Sequence, residues 1–147
     1  MKLVELLAVE RVVAPLDSPT LADAARRLAE AVIASDRARD ADSLRRLVGE
    51  IRPREIVPVG SQGCMIQLRT DAVSRLTVAL GVAPKPVPRK AGGTKGVRVV
   101  VLVLAPPKEA SAYLQVVSAV GRALGRRDTV SALLAAQKPA DVLASPE

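Results

Sequence analysis

The sequence predicts a layered α/β domain, and three observations carry that prediction. Val97 to Leu104 (VRVVVLVL) has seven Val or Leu in eight residues, so neither face of a strand there can point to water. Gly92, Gly93 and Gly96 precede the run and Ala105-Pro106-Pro107 closes it, which marks a strand at the centre of a sheet. An amphipathic helical pattern follows at once, with Ala110, Leu114, Val117, Val120 or Gly121, and Leu124 at spacings of three and four. Short extended segments between Ile56 and Leu80 supply neighbouring strands. A buried strand that runs into a helix and has strands beside it belongs to a layered α/β domain.

Taken in order, Lys2 to Ala8 suits one or two helical turns, and Arg11 to Leu16 reads as a first strand with Pro15 near its end. A helix start follows, with either Ser18 as N-cap and Pro19 at the first position, or Thr20 as N-cap with Asp23 three residues on. Leu21, Ala25, Leu28 and Val32 form the buried stripe of that helix, which stops near Ser35. Residues 36–42 are a charged connection, and Asp42 is expected to cap a second helix with Leu44, Leu47, Val48 and Ile51 on one face and Pro53 beyond its end. Ile56 to Val59 and Cys64 to Arg69 are extended pieces joined by the turn Gly60-Ser61-Gln62-Gly63, and Leu76 to Leu80 alternates as a strand does. Residues 83–96 (APKPVPRKAGGTKG) are rich in Pro, Gly and basic side chains and poor in anything to bury, so they are expected to form a mobile basic loop or loose hairpin. After the helix behind the central strand, Gly125 is a natural stop, and Asp128 is expected to cap a helix with Val130, Leu133 and Leu134 inward. Pro139 begins a last short helix.

At 147 residues the chain suits a single domain, 1–147, able to bury about 70% of its unfolded surface. One Tyr and no Phe or Trp leave the core to Val, Leu, Ile and Ala, and exclude a single-strand nucleic-acid binder built on stacking platforms. A net charge of +7 is compatible with an acidic partner but is read first as a soluble surface. The single Cys64 has no internal disulfide partner and no apolar run reaches the roughly 18 residues of a membrane span, so a cytoplasmic protein is expected. No metal-ligand cluster and no nucleotide fingerprint is present, and no cofactor is expected.

Several segments then act together. MKLVELLAVERVV at the start, Arg54-Glu55 after the second helix, the Gly-rich turn leading by Arg69-Thr70-Asp71 into Ala72-Val73, and VLVLAPP followed by Tyr113-Leu114 resemble the type-2 enzyme IIA domain of the phosphotransferase system, in order and over essentially the whole chain. This is the fructose/mannitol class, which includes the nitrogen-regulatory IIA proteins. The resemblance implies a three-layer α/β/α fold with a mixed central β-sheet. In that family a Gly-rich turn runs into an apolar-Pro-His-Ala-Arg segment whose His accepts a phosphoryl group from the histidine phosphocarrier protein. The matching segment here is Cys64 to Arg69, so Ile66 stands at the Pro position and Gln67 at the acceptor position. The family's second His, followed by Leu, corresponds to Tyr113-Leu114, while the family's active-site Arg is kept as Arg54. The segment from Arg54 to Gln67 is a few residues shorter than the family's.

A phosphohistidine is a high-energy N-linked phosphoryl that can be handed on, a Gln amide is not a nucleophile, and the chain has no His at all. Ser61, Thr70 or Tyr113 would form only a stable phosphoester. The expectation is a phosphorylation-incompetent, IIA-like regulatory or protein-binding module with no catalytic residue. Its binding face is expected to hold Arg54, Gly60, Gly63, Gln67, Arg69 and Tyr113, with a protein partner, no nucleic acid and no membrane span. An alternative is a sensor of phosphate or a phosphorylated metabolite, with Arg54, Arg69 and the amides of the Gly60 to Gly63 turn as an anion pocket. The plainer and favoured reading of those arginines pairs Arg54 with Glu55 or Asp71 and leaves both solvated. A working phosphotransferase with an unusual acceptor is the remote third reading. Cys64, between apolar neighbours, is read as core filler. The loop from Lys85 to Lys95 is read as a solvated loop before a contact for a phosphorylated or acidic partner.

Overall fold

Val12–Val13 (β1), Ile56–Val59 (β2), Gly63–Arg69 (β3), Thr77–Pro88 (β4) and Gly96–Ala105 (β5) form a five-stranded sheet in the order β1-β4-β5-β3-β2. They are seen in a computed structural model that describes residues 1–88 and 96–145. The apolar run of the sequence is the middle strand. It lies antiparallel to β4 and parallel to β3, while β1 is parallel to β4 and β2 antiparallel to β3, so the sheet is mixed.

Both faces of β5 are covered because its side chains leave no alternative. Val100, Leu102 and Leu104 join a core under α1 (Leu21–Ala34) and α2 (Ala41–Val48). Val99, Val101 and Val103 join a second core under α3 (Ala110–Leu124), α4 (Arg127–Leu134) and α5 (Pro139–Leu143), to which Leu3 of the N-terminal 3₁₀ turn also belongs. The expected three layers are present. Each such Val or Leu contributes about 1.5–3 kcal/mol by leaving water. The one charged residue of the run, Arg98, sits near its start and donates Nε to the Ala83 carbonyl at 2.9 Å.

Local signals account for most helix limits. Of the two helix starts the sequence offered, Thr20 is the N-cap, its Oγ1 accepting the Asp23 N–H at 3.0 Å, and Leu21, Ala25, Leu28 and Val32 are buried as expected. The second helix is capped by Asp40 and not by Asp42. Asp40 Oδ1 accepts the Ser43 N–H at 3.0 Å, and just before it Ala38 bridges to Val73. The first strand is also shorter than expected, two residues against Arg11 to Leu16.

Of the two alternatives for residues 83–88, the hairpin is the one formed and the loop is corrected: β4 continues to Pro88 after an irregularity between Val82 and Val87, with Val87 paired to Val97 and Pro88 to Gly96. The prolines are tolerated because β1 covers β4 only at Leu80 and Gly81, so the outer edge beyond needs no N–H donors. Pro on a bare edge also blocks strand addition from another chain. The remainder of the expected loop, 89–95, lies outside the described residues. In α3 the buried stripe is Val116, Ala119, Val120, Ala123 and Leu124, whereas Leu114 is 68% exposed. The first turn of α3 therefore faces the sheet with Tyr113, one residue away from the expected Leu114.

Val101 is fully buried in the central strand. Val101→Asp buries an unpaired carboxylate at a cost of several kcal/mol against a total stability of about 5–15 kcal/mol. The expected outcome is a chain that is largely unfolded or insoluble, read by circular dichroism. A cooperative, near-wild-type melt would refute the central placement of β5.

Candidate functional site

Strand β3 alternates between the two cores: Cys64, Ile66 and Leu68 face α1 and α2, and Met65 faces the α3 layer. By the period of two, Gln67 faces the α3 layer as well, an uncharged polar side chain in an otherwise apolar stripe, half-buried and beside Val103 of β5. A buried amide needs a partner, and Tyr113 supplies it: its O–H donates to Gln67 Oε1 at 2.6 Å. That bond turns the start of α3 so that Tyr113 faces inward and Leu114 outward.

Arg69, two residues after Gln67 and so on the same face, completes the group. Its guanidinium lies 4.7 Å from the centre of the Tyr113 ring, and its Nη2 donates to the Pro107 carbonyl at 2.9 Å. A cation over an exposed ring contributes about 0.5–1 kcal/mol. Burial holds the Tyr113 hydroxyl above its ordinary pKa, and the positive charge of Arg69 opposes that rise without cancelling it. A carboxamide is not a nucleophile, and a phenol held protonated is a poor one near neutrality. A single hydrogen bond, from Tyr113 to Gln67, joins the pair and holds β3 to α3.

Arg54 lies in a 3₁₀ turn (Pro53–Glu55) that runs straight into β2 and touches β3. Continuing the register in which Ile56 faces Ile66, the backbone of Arg54 passes beside that of Leu68, next to Gln67. Its side chain is exposed, and among the described residues it makes no ion pair. The expected pairing with Glu55 or Asp71 is not formed; Glu55 Oε1 instead accepts the Arg52 N–H at 2.8 Å. The structure thus brings together Gln67, Arg69 and Tyr113 at one end of the sheet, with the backbone of Arg54 beside Leu68 at that same end.

Gly60 and Gly63 are not part of this group, which corrects the anion pocket built on their amides. Gly63 stands four residues before Gln67, about 13 Å along the strand, and Gly60 is beyond it. Their role is packing: Gly60 has φ +64°, and a Cβ there would come within 2.5 Å of the Leu124 carbonyl oxygen. At Gly63 a Cβ would lie 3.0 Å from Leu124 Cδ1. The turn is docked on the C-terminal end of α3, eleven residues or roughly 16 Å from Tyr113. Cys64 is buried in the core under α1 and α2, on the opposite face from Gln67. Among the described residues no three His, Cys, Asp or Glu side chains gather as a metal site, and no helix is long and apolar enough to cross a membrane.

The exposed Leu114 beside the site was missed, because helical spacing at the start of α3 fits either of two faces one residue apart. The signal that distinguishes them is the lone amide on an apolar strand, which requires a polar partner from the covering helix.

The sequence profile of the enzyme IIA type-2 component of the phosphoenolpyruvate-dependent sugar phosphotransferase system matches residues 65–145, just over half of the chain. Solved structures share the fold. The nitrogen regulatory protein IIA-Ntr from Neisseria meningitidis superposes with a TM-score of 0.77 at 16% identity, covering 96% of this chain and 96% of that one. The mannitol IIA from Escherichia coli gives 0.73 at 18% identity, covering 94% and 96%. A complex of the Escherichia coli mannitol enzyme IIA with phosphorylated enzyme IIB gives 0.73 at 18% identity, covering 95% and 98%. A comparison with the curated proteins finds no match.

Tyr113 is the sole tyrosine, so its titration can be read alone by phenolate absorbance. The raised folded pKa means that the unfolded chain loses this proton first. The stability that Tyr113 contributes is therefore full below its ordinary pKa near 10 and is lost as pH rises through the folded value. Tyr113→Phe is expected to remove that part of the pH slope and to lower stability near neutrality by about 0.5–1.5 kcal/mol. A phenol titrating at its unperturbed position in the folded chain would contradict this geometry.

Proposed function

The chain belongs to the type-2 enzyme IIA family of the phosphoenolpyruvate-dependent sugar phosphotransferase system, and from that premise we propose a IIA-like regulatory or protein-binding module that takes no phosphoryl group. In this reading Gln67 stands at the family's acceptor position and Tyr113 at its second-histidine position. The observation that carries it is the hydrogen bond from Tyr113 to Gln67 in a chain with no histidine. The two positions assigned to imidazoles by resemblance are in contact, and both hold groups unable to form an N-linked phosphoryl. A neutral amide in place of a phosphorylatable imidazole keeps the face permanently like that of an unphosphorylated domain.

Support for a protein partner comes from the surroundings of the pair. Leu114 is a large apolar side chain left in water next to Tyr113, and the guanidinium of Arg69 and the side chain of Arg54 flank the same end of the sheet. Apolar exposure rimmed by cations suits an acidic protein surface. The mannitol enzyme IIA of Escherichia coli is known in complex with a phosphorylated enzyme IIB, and the corresponding face is where a partner is proposed here. A cytoplasmic setting, no cofactor and no nucleic-acid partner belong to the same proposal. The sensor alternative at Arg54 and Arg69 has less support, because Arg69 is engaged by Pro107 and Tyr113 and the turn amides are remote.

Incubation with the general phosphotransferase enzymes and labelled phosphoenolpyruvate tests the proposal. The chain is expected to stay unlabelled while an ordinary IIA domain in the same tube is labelled. An acid-labile label on this chain would overturn the reading and favour an unusual acceptor.

A further inference from the structure

On the other side of β5 from the Gln67 pair, two arginines reach the edge of β4 that β1 leaves bare. Arg11, the last residue of a 3₁₀ turn before β1, is only 8% exposed, and its Nε donates to the Val78 carbonyl at 3.1 Å. Arg37, just beyond α1, donates Nη2 to the Leu76 carbonyl at 2.9 Å. Carbonyls two residues apart on an extended chain point the same way, about 7 Å from each other, so the two guanidiniums are held side by side. Exposed Arg75 is next in the same stretch, and its charge bears on both.

The counter-charge is thin. Glu10 bears on Arg11 and Glu109 on Arg37, but Glu109 Oε2 already accepts the Leu76 N–H at 2.6 Å. Among the described residues none of the three guanidiniums forms an ion pair, and the Nε of Arg37 is buried with no hydrogen-bond partner. Burial pushes the pKa of both Arg11 and Arg37 down; at Arg11 the charge of Glu10 opposes this more than Arg75 adds to it, whereas at Arg37 the charges of Arg11 and Arg75 outweigh that of Glu109. Capping two edge carbonyls needs two neutral donors. It does not need three cations in mutual repulsion, nor a buried donor left without an acceptor, which is a costly arrangement unless something answers it.

We propose that Arg11, Arg37 and Arg75 form a binding site for a small phosphate-class oxyanion, either inorganic phosphate or the phosphate group of a metabolite. An oxyanion seated there takes the terminal N–H groups that Arg11 and Arg37 do not spend on the strand carbonyls, by charge-assisted bonds, and offsets the repulsion that Arg37 feels from Arg11 and Arg75. Arg75, at the surface, is the entrance cation. The site lies across the central strand from Gln67, with Glu109, at the start of α3, between the two groups.

The test follows the arginine Nε–H signals by ¹H–¹⁵N NMR during titration with inorganic phosphate, with glycerol phosphate and with chloride, all at constant ionic strength. Saturable shifts of the Arg11 and Arg37 signals are expected with a phosphate species and not with chloride. Arg75→Ala, an exposed replacement whose fold the amide spectrum verifies, is expected to weaken binding about fivefold, the scale of an exposed charge contact. Arg54→Ala is expected to leave it unchanged. Tighter binding of glycerol phosphate assigns the site to a metabolite, and tighter binding of phosphate assigns it to the free ion. Absence of saturation by tens of millimolar, equal shifts with chloride, or an affinity indifferent to Arg75→Ala but lost in Arg54→Ala would overturn the proposal.

Discussion

The structure depends on one strand that has no face to offer water. Because β5 carries Val or Leu on both sides, a helical layer must cover each, and the chain before and after it supplies one layer apiece. The same strand fixes the end of the sheet that holds the candidate site. Parallel pairing sets Gln67 beside Val103, and the turn through Pro106 and Pro107 sends α3 back across the sheet so that its first turn meets Gln67. Arg69 then bridges strand and turn by holding the Pro107 carbonyl. Packing and site geometry are consequences of a single pattern of burial.

What stands at that end is a neutral pair among cations. A phenol and an amide satisfy each other, which suits a rigid surface better than a group that must gain and lose a phosphoryl. The arginines are divided between two places: Arg69 lies over the Tyr113 ring with Arg54 at the same end of the sheet, while Arg11 and Arg37 cap carbonyls at the start of β4 across the central strand, near Arg75. The positive charge of the chain is therefore locally organised even though its total reads as an ordinary soluble surface.

Much of this was legible in the residues. A strand of Val and Leu with one Arg near its start, between Gly and Pro, announces its place, and Thr20 marks a helix start by its own capping chemistry, while Gly125 ends α3 in a right-handed conformation. Residues 83–88 were illegible because proline content signals a loop wherever the edge of a sheet is not known to be bare. The rotation of α3 was illegible because one hydrogen bond, across a separation of 46 residues, decides between two faces of similar apolarity. The Gly60 to Gly63 turn looked like a phosphate cradle, but its glycines answer to the close approach of Leu124. Arg11 and Arg37 gave no periodic signal, since a guanidinium that caps a strand edge looks in sequence like any surface arginine.

In the proposed reading this end of the sheet is a IIA site whose acceptor has been replaced at position 67. Gln67→His restores an imidazole there, and the folded variant can be offered the general phosphotransferase enzymes with labelled phosphoenolpyruvate. An acid-labile label is expected on the variant and not on the parent chain. A correctly folded Gln67→His chain that remains unlabelled would contradict the placement of the acceptor at this residue.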